Sequence, residues 1–196
     1  MWQARSTSNH FVPPDKFGLA IAQLAGDASD DDGAAGQKIQ KHFSTFTSKA
    51  GLEIEVMEFC EEDFEALVEM YEVFEPKRAA QGLPPTVGER IVAWLRQLQK
   101  NGHNLIAMWD GQLVGHSMLC PVDSERAEFA IFLSQDFRNQ GIGTGLTKAT
   151  LDYARRKELP RIWLSVEVNN RAAVRVYRKM GFKACGHFGP EQEMEL

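Results

Sequence analysis

Between residues 52 and 59 apolar and acidic side chains alternate, with Leu52, Ile54 and Val56 set against Glu53 and Glu55. A period of two predicts a half-buried strand. Over 61–74 the period changes, and Phe64, Leu67, Val68 and Tyr71 fall on one helical face. A loop over 76–86 leads to a second helix over 87–100, bearing Ile91, Trp94, Leu95 and Leu98. Three strands are predicted next, at 104–109, 112–119 and 127–133. Asp110-Gly111 joins the first two and is a hairpin signal, because both residues tolerate the positive φ of a two-residue turn. A glycine-dense loop then opens a helix over 144–157, with Leu146, Ala149, Tyr153 and Ala154 inward. A strand at 161–168, a helix at 171–180 and a strand at 182–188 follow, and Gly181 sits where a helix C-cap glycine belongs. The predicted order is β-α-α-β-β-β-α-β-α-β.

Residues 1–50 have a different texture. They hold Pro13-Pro14, the acidic Asp27, Asp30, Asp31 and Asp32, and the small residues Gly33-Ala34-Ala35-Gly36. Too little apolar surface is present to offset chain entropy, so this segment reads as a largely disordered tail ahead of a domain over 51–196. Short helices are expected within it near 17–25 and 37–46. No apolar run approaches the ~20 residues of a membrane span. Met1-Trp2-Gln3-Ala4-Arg5 precedes no apolar core of a secretory signal, so a cytoplasmic location is expected, with no membrane or nucleic-acid partner. Cys60, Cys120 and Cys185 form no Cys-x-x-Cys pair and read as buried free thiols. The histidines at 10, 42, 103, 116 and 187 are scattered, and no metal site is expected.

The chemistry concentrates in one run. The strand-like Glu128-Phe129-Ala130-Ile131-Phe132-Leu133 is followed by Arg138-Asn139-Gln140-Gly141-Ile142-Gly143-Thr144-Gly145-Leu146. A glycine-dense turn at a helix start gathers bare backbone N–H groups at the positive end of the helix dipole, where phosphate is best held. The loop lacks the lysine of a Walker motif, and glycines at 141, 143 and 145 miss the Gly-x-Gly-x-x-Gly spacing of a dinucleotide site. A tight turn with close helix–strand packing is the structural alternative.

The form Arg-x-x-Gly-x-Gly resembles the acetyl-CoA signature of the GCN5-related N-acetyltransferase (GNAT) superfamily. Two further stretches strengthen the resemblance. One is the strand-like Ile162-Trp163-Leu164-Ser165-Val166. The other runs from Asn170-Arg171-Ala172-Ala173-Val174 through Arg175-Val176-Tyr177-Arg178 to Lys179-Met180-Gly181-Phe182 and is similar to the family's Asn-x-x-Ala-x-x-x-Tyr-x-x-x-Gly-Phe. The likeness covers about 52–190 in layout and 129–183 in specific motif. It implies an α/β (α+β) fold, with a mixed, mostly antiparallel sheet of six to seven strands flanked by about four helices.

It also implies a site. Acetyl-CoA, the expected co-substrate, would lie in a V between the strands at 127–133 and 161–168. The backbone of Ile131, Phe132 and Leu133 would pair with the pantetheine, and Arg138, Asn139, Gln140, Gly141, Ile142, Gly143 and Thr144 would wrap the pyrophosphate. Asn170 would cap its helix and, by resemblance, meet the cofactor. Amine attack on a thioester needs a neutral amine, a donor for the developing oxyanion and a proton or its equivalent for the departing thiolate. By resemblance, a backbone N–H near Leu133 supplies the second and Tyr177 the third. Tyr177 also belongs to an apolar stripe with Ala173, Val176 and Met180, which is its purely structural reading. Glu128 is the candidate base, depending on which sheet face it takes; Glu167, His116 and water are the alternatives.

Charge is divided along the chain. The net charge of −5 combines six basic and sixteen acidic residues over 51–137 with eleven basic and three acidic over 138–183. Such a division would steer an anionic cofactor and a cationic amine to opposite sides of one cleft; its bland reading is the solvated face of a helix. In the family the loop after the first helix borders the acceptor, so Arg78 and Gln81 are candidate substrate-binding residues. The implied function is N-acetyl transfer to a small amine or protein amino group by direct attack in a ternary complex, with a homodimer as a common family state. The alternatives are a non-catalytic acyl-CoA sensor, or an acyltransferase with another donor or acceptor.

Overall fold

A strand with no forewarning in the pattern begins the described structure, a computed structural model that covers residues 41–76, 84–159 and 161–196. This strand, β1 (Lys41–Thr47), replaces the helix expected over 37–46 from Lys41 onward, while residues 17–25 lie outside the described ones. It pairs antiparallel with β2 (Glu53–Glu58), and the register slips between His42 and Ser44, leaving Phe43 as the extra residue of a bulge. Phe43 and Phe46 therefore both pack on one core, although three-residue spacing in an unbroken strand would send them to opposite faces. A spacing of three is also what a helical face shows, so the bulge hides the strand.

A single 3₁₀ turn (Glu61–Asp63) enters α1 (Phe64–Glu72), and α2 is Gly88–Asn101. Then come β3 (His103–Trp109), β4 (Gln112–Pro121) and β5 (Arg126–Leu133). Asp110 (φ 48) and Gly111 (φ 76) make the expected hairpin turn between β3 and β4. α3 (Ile142–Arg156), β6 (Arg161–Glu167), α4 (Arg171–Lys179), β7 (Lys183–Phe188) and β8 (Glu191–Glu195) complete the chain. The eight strands are ordered β1-β2-β3-β4-β5-β6-β8-β7, and among the described residues only β5 and β6 run parallel. The mixed, mostly antiparallel sheet and the four helices match the expected class; β1 and β8 are additions. β8 is an interior strand, paired with β6 and β7, yet its sequence Glu-Gln-Glu-Met-Glu buries only Met194, so it carries almost no apolar signal.

Helices cover both faces. Leu67 and Tyr71 of α1 and Trp94 and Leu98 of α2 pack on Ile106, Met118 and Phe132 of the sheet. Leu146 of α3 and Tyr177 of α4 pack on Ile54, Leu119, Phe129, Ile162 and Leu164 from the other side. The expected inward residues of all four helices are thus in the core, and burying several such side chains, at about 1.5–3 kcal/mol each, holds the layers together.

Candidate functional site

The sheet is split at its parallel pair. β5 and β6 pair only through Arg126↔Arg161, Ala127↔Ile162 and Glu128↔Trp163. Beyond them β5 stays with β4 as far as Leu133↔Gly115, and β6 stays with β8 as far as Glu167↔Glu191. A gap therefore opens between Phe129–Leu133 of one strand and Leu164–Glu167 of the other. Because the two strands are parallel, the helices that follow them, α3 and α4, both begin at the open end.

α3 begins on Gly141, which at φ 85 adopts a left-handed conformation that disfavours side chains. The first intrahelical bond runs from Gly145 N–H to Gly141 O at 3.1 Å. The N–H groups of Ile142, Gly143 and Thr144 precede it and have no intrahelical partner. A Cβ on Gly143 would meet only Leu133 Cδ1, at 3.3 Å, beyond its chain neighbours and its own helix backbone. Asn139 is also left-handed (φ 63), and Gln140 is tied back by its Nε2 to Asp136 O at 2.7 Å. This cradle fits a phosphate-bearing group.

Two residues outside the motif complete the loop. Lys49, in the β1–β2 turn, donates its N–H to Gln140 O at 2.8 Å and lays its stem over Gly141, where a Cβ would sit 2.9 Å from Lys49 Cγ. Its amino group has no ion pair or hydrogen bond among the described residues. Phe46 lies against Gly145, so the third glycine of the run serves packing. Neither contact has a local signal in the sequence; both depend on where β1 docks. Arg138, first residue of the motif, turns its side chain away from the helix start and donates to Leu133 O and Glu75 O.

Across the gap Asn170 caps α4, its Oδ1 accepting from Ala173 N–H at 3.2 Å. Tyr177 is buried with its ring against Phe129 (6.0 Å) and Phe182 (5.8 Å). Burial holds its phenol well above the ordinary tyrosine range, so it stays protonated. Phe129 belongs to the α3–α4 core, and β5 pairs with β4 without a slip. Glu128, 3% exposed, therefore takes the opposite face, beside Cys120 and Trp163. Tyr177 and Glu128 flank the split from its two sides.

Glu128's face continues as an acidic surface. Trp163, Ser165 and Glu167 of β6 stand opposite Glu195, Glu193 and Glu191 of β8. Ser165 Oγ donates to Glu191 Oε2 at 2.5 Å, and burial, reinforced by Glu191, raises the Glu193 carboxyl. His116 plays a structural part. Asn104 Nδ2 donates to Leu98 O and Gly102 O, so its Oδ1 accepts from His116 Nε2 at 3.1 Å, and Tyr71 OH donates to His116 Nδ1 at 2.8 Å. Burial pushes this histidine down to about 3. A neutral imidazole with both nitrogens engaged holds α1 and α2 to the sheet and takes no proton near neutral pH. Cys60 and Cys120 are buried, with burial pushing both thiols up to about 12, whereas Cys185 is exposed. Arg78 and Gln81 lie outside the described residues. Among the described residues no cluster of three His, Cys, Asp or Glu side chains is placed to hold a metal, and no helix is long and apolar enough to cross a membrane.

Comparison with known proteins points to the same elements. The model of the acetyltransferase (GNAT) family matches residues 60–182. Spermidine N(1)-acetyltransferase of Escherichia coli is 32% identical over 80 residues, which span 39% of this chain and 43% of that protein. The [ribosomal protein bS18]-alanine N-acetyltransferase of E. coli is 27% identical over 73 residues, 37% of this chain and 49% of that protein. The chain thus spans less than half the length of these curated relatives. A putative acetyltransferase from Salmonella typhimurium, solved with acetyl-CoA, superposes with a TM-score of 0.60 at 18% identity, covering 73% of this chain and 92% of that one.

Proposed function

Because this chain belongs to the acetyltransferase (GNAT) family, we propose that it moves an acetyl group from acetyl-CoA directly to a primary amine. The observation that carries the reading is the parting of β5 and β6 beyond Glu128 and Trp163, with the glycine-capped start of α3 at the open end. The thioester, when bound, supplies the acyl carbon and a thiolate leaving group. The edge of β5 at Ile131, Phe132 and Leu133 serves as the strand against which the pantetheine lies. The loop 139–144 and the N–H groups of Ile142, Gly143 and Thr144 hold the phosphates, with Lys49 beside them and Asn170 on the opposite lip.

As the C–N bond forms and the C–S bond breaks, the amine sheds a proton and the sulfur needs one. Tyr177 donates to the sulfur, and burial suits it to this role by keeping the phenol protonated. Glu128, on the other face, accepts the amine proton directly or through water. The acidic surface of Glu167, Glu191 and Glu193 draws a cationic amine to that face, while the basic 138–183 segment draws the anionic donor. The names of the two relatives specify N-acetylation of spermidine and of an alanine of a ribosomal protein, so both a small amine and a protein amino group fit the class.

The test is thiol release from acetyl-CoA over a panel of polyamines, amino acids, lysine peptides and peptide N-termini. Saturable release with one acceptor class, weakened by added salt, is expected. Acetyl-CoA binding without release for any amine would replace this reading with a non-catalytic acyl-CoA module.

A further inference from the structure

Arg138 opens the glycine run, yet its side chain reaches away from the helix it precedes. Nε donates to Leu133 O at 3.1 Å and Nη2 donates to Glu75 O at 2.5 Å, while the guanidinium lies 5.0 Å from the centroid of the Phe74 ring. Its N–H is engaged too, with Gln135 O at 3.3 Å. Beside it Gln135 Nε2 donates to Val73 O at 2.7 Å. The segment between β5 and α3 is thus stitched to Val73, Phe74 and Glu75, the three residues that follow α1. Phe74 in turn lines a small cleft with Tyr71, Pro76, Pro84, Pro85 and Thr86. The Tyr71 and Phe74 rings both pack on Phe132 of β5, at 5.6 and 5.5 Å. The cleft wall and the cofactor loop therefore share one guanidinium and one strand.

We infer that Arg138 is a positioning residue for this cleft, which lies on the sheet face of Glu128 and so on the acceptor side, tying Phe74 of its wall and the adjoining Glu75 backbone to the cofactor loop rather than binding phosphate with its side chain. The inference rests on the acetyl-transfer reading and adds to it a link between donor and acceptor halves. The chemistry is particular to arginine. Its rigid fork satisfies two carbonyls from different segments while its plane lies near an aromatic ring; a lysine ammonium is a single point of charge.

The experiment compares the wild-type chain with Arg138→Ala, Arg138→Lys and Phe74→Leu. Amide exchange in peptides covering 71–76 should quicken about tenfold in R138A, the order expected from losing charge-assisted bonds to backbone carbonyls. Exchange in the first turn of α3 should not change. Acetyl-CoA affinity by calorimetry should stay within about threefold, while KM for the amine rises about tenfold and kcat changes little. R138K should behave like R138A, and added guanidinium ion should lower KM in R138A alone. F74L, which keeps the arginine, should raise the amine KM by a smaller factor and serves if R138A fails to fold. A tenfold loss of acetyl-CoA affinity with amine KM and exchange at 71–76 unchanged would overturn the inference and make Arg138 a phosphate ligand. If the wild-type chain acetylates no amine, the acetyl-transfer reading fails, and the exchange data still decide whether Arg138 holds the wall.

Discussion

Gly145→Ala should change sign with its background. In the folded chain a Cβ at 145 would lie 2.3, 2.4 and 2.6 Å from three carbons of the Phe46 ring, where ordinary contact is 3.4–4 Å. The ring must retreat by about 1 Å, an overpacking of the kind that costs about 1–3 kcal/mol. Against this, alanine in the interior of α3 gains about 1 kcal/mol of helix propensity over glycine. G145A alone should therefore destabilise by roughly 1 kcal/mol. Phe46→Ala, at a half-buried position, should cost about 2 kcal/mol, below the 3–5 of a fully buried ring. In the F46A background the clash is gone and the propensity remains, so G145A should stabilise by about 1 kcal/mol. Urea unfolding of the four proteins reads the cycle directly. If G145A shifts stability equally in both backgrounds, Phe46 does not dictate the third glycine and the docking of β1 on α3 is misdescribed.

Other outcomes follow from the site. Tyr177→Phe keeps the ring against Phe129 and Phe182 and should leave the melting temperature and acetyl-CoA affinity unchanged while kcat falls about 10²–10⁴-fold; an unchanged kcat would remove Tyr177 from the chemistry. Lys49→Gln should weaken acetyl-CoA several-fold and leave acetyl-pantetheine, which lacks the phosphates, alone; equal loss for both would count against a phosphate role. His116 gives a pH signature. The unfolded chain protonates it below its ordinary 6.5, whereas the folded chain does so only near 3. Its contribution is full above 6.5 and lost as pH falls, by up to about 1.4 kcal/mol per unit. Urea unfolding between pH 7 and 5 should show this slope in the wild type and a flatter one in His116→Gln, and parallel slopes would refute it.

What was legible in the chain follows from what is local. The apolar stripes of α1, α2 and α3 set their faces, Asp110-Gly111 set the hairpin, and Asn170 set a cap, because each acts through neighbours a few residues away. The family's glycine motif was legible for the same reason: a strand, a glycine turn and a helix start are contiguous. β1 and β8 were not. Phe43 and Phe46 share a face only because of a bulge, and β8 holds its interior place through backbone pairing, with Met194 its one fully buried side chain. The side-chain connections of Lys49 and Arg138 were hidden for the further reason that their partners, Gly141 and Glu75, are distant in sequence. The face of Glu128 depended on an unbroken β4–β5 register that only the three-dimensional pairing reveals.

Under the proposed function the gap between β5 and β6, with the start of α3 at its open end, takes an acyl-CoA. Calorimetric titration of the folded chain with acetyl-CoA, CoA and NADH tests it most directly. Saturable binding of acetyl-CoA and CoA near one equivalent, with no heat from NADH, is predicted. A folded sample that binds neither acetyl-CoA nor CoA would rule out an acyl-CoA site in this gap and leave the glycine run as a structural turn.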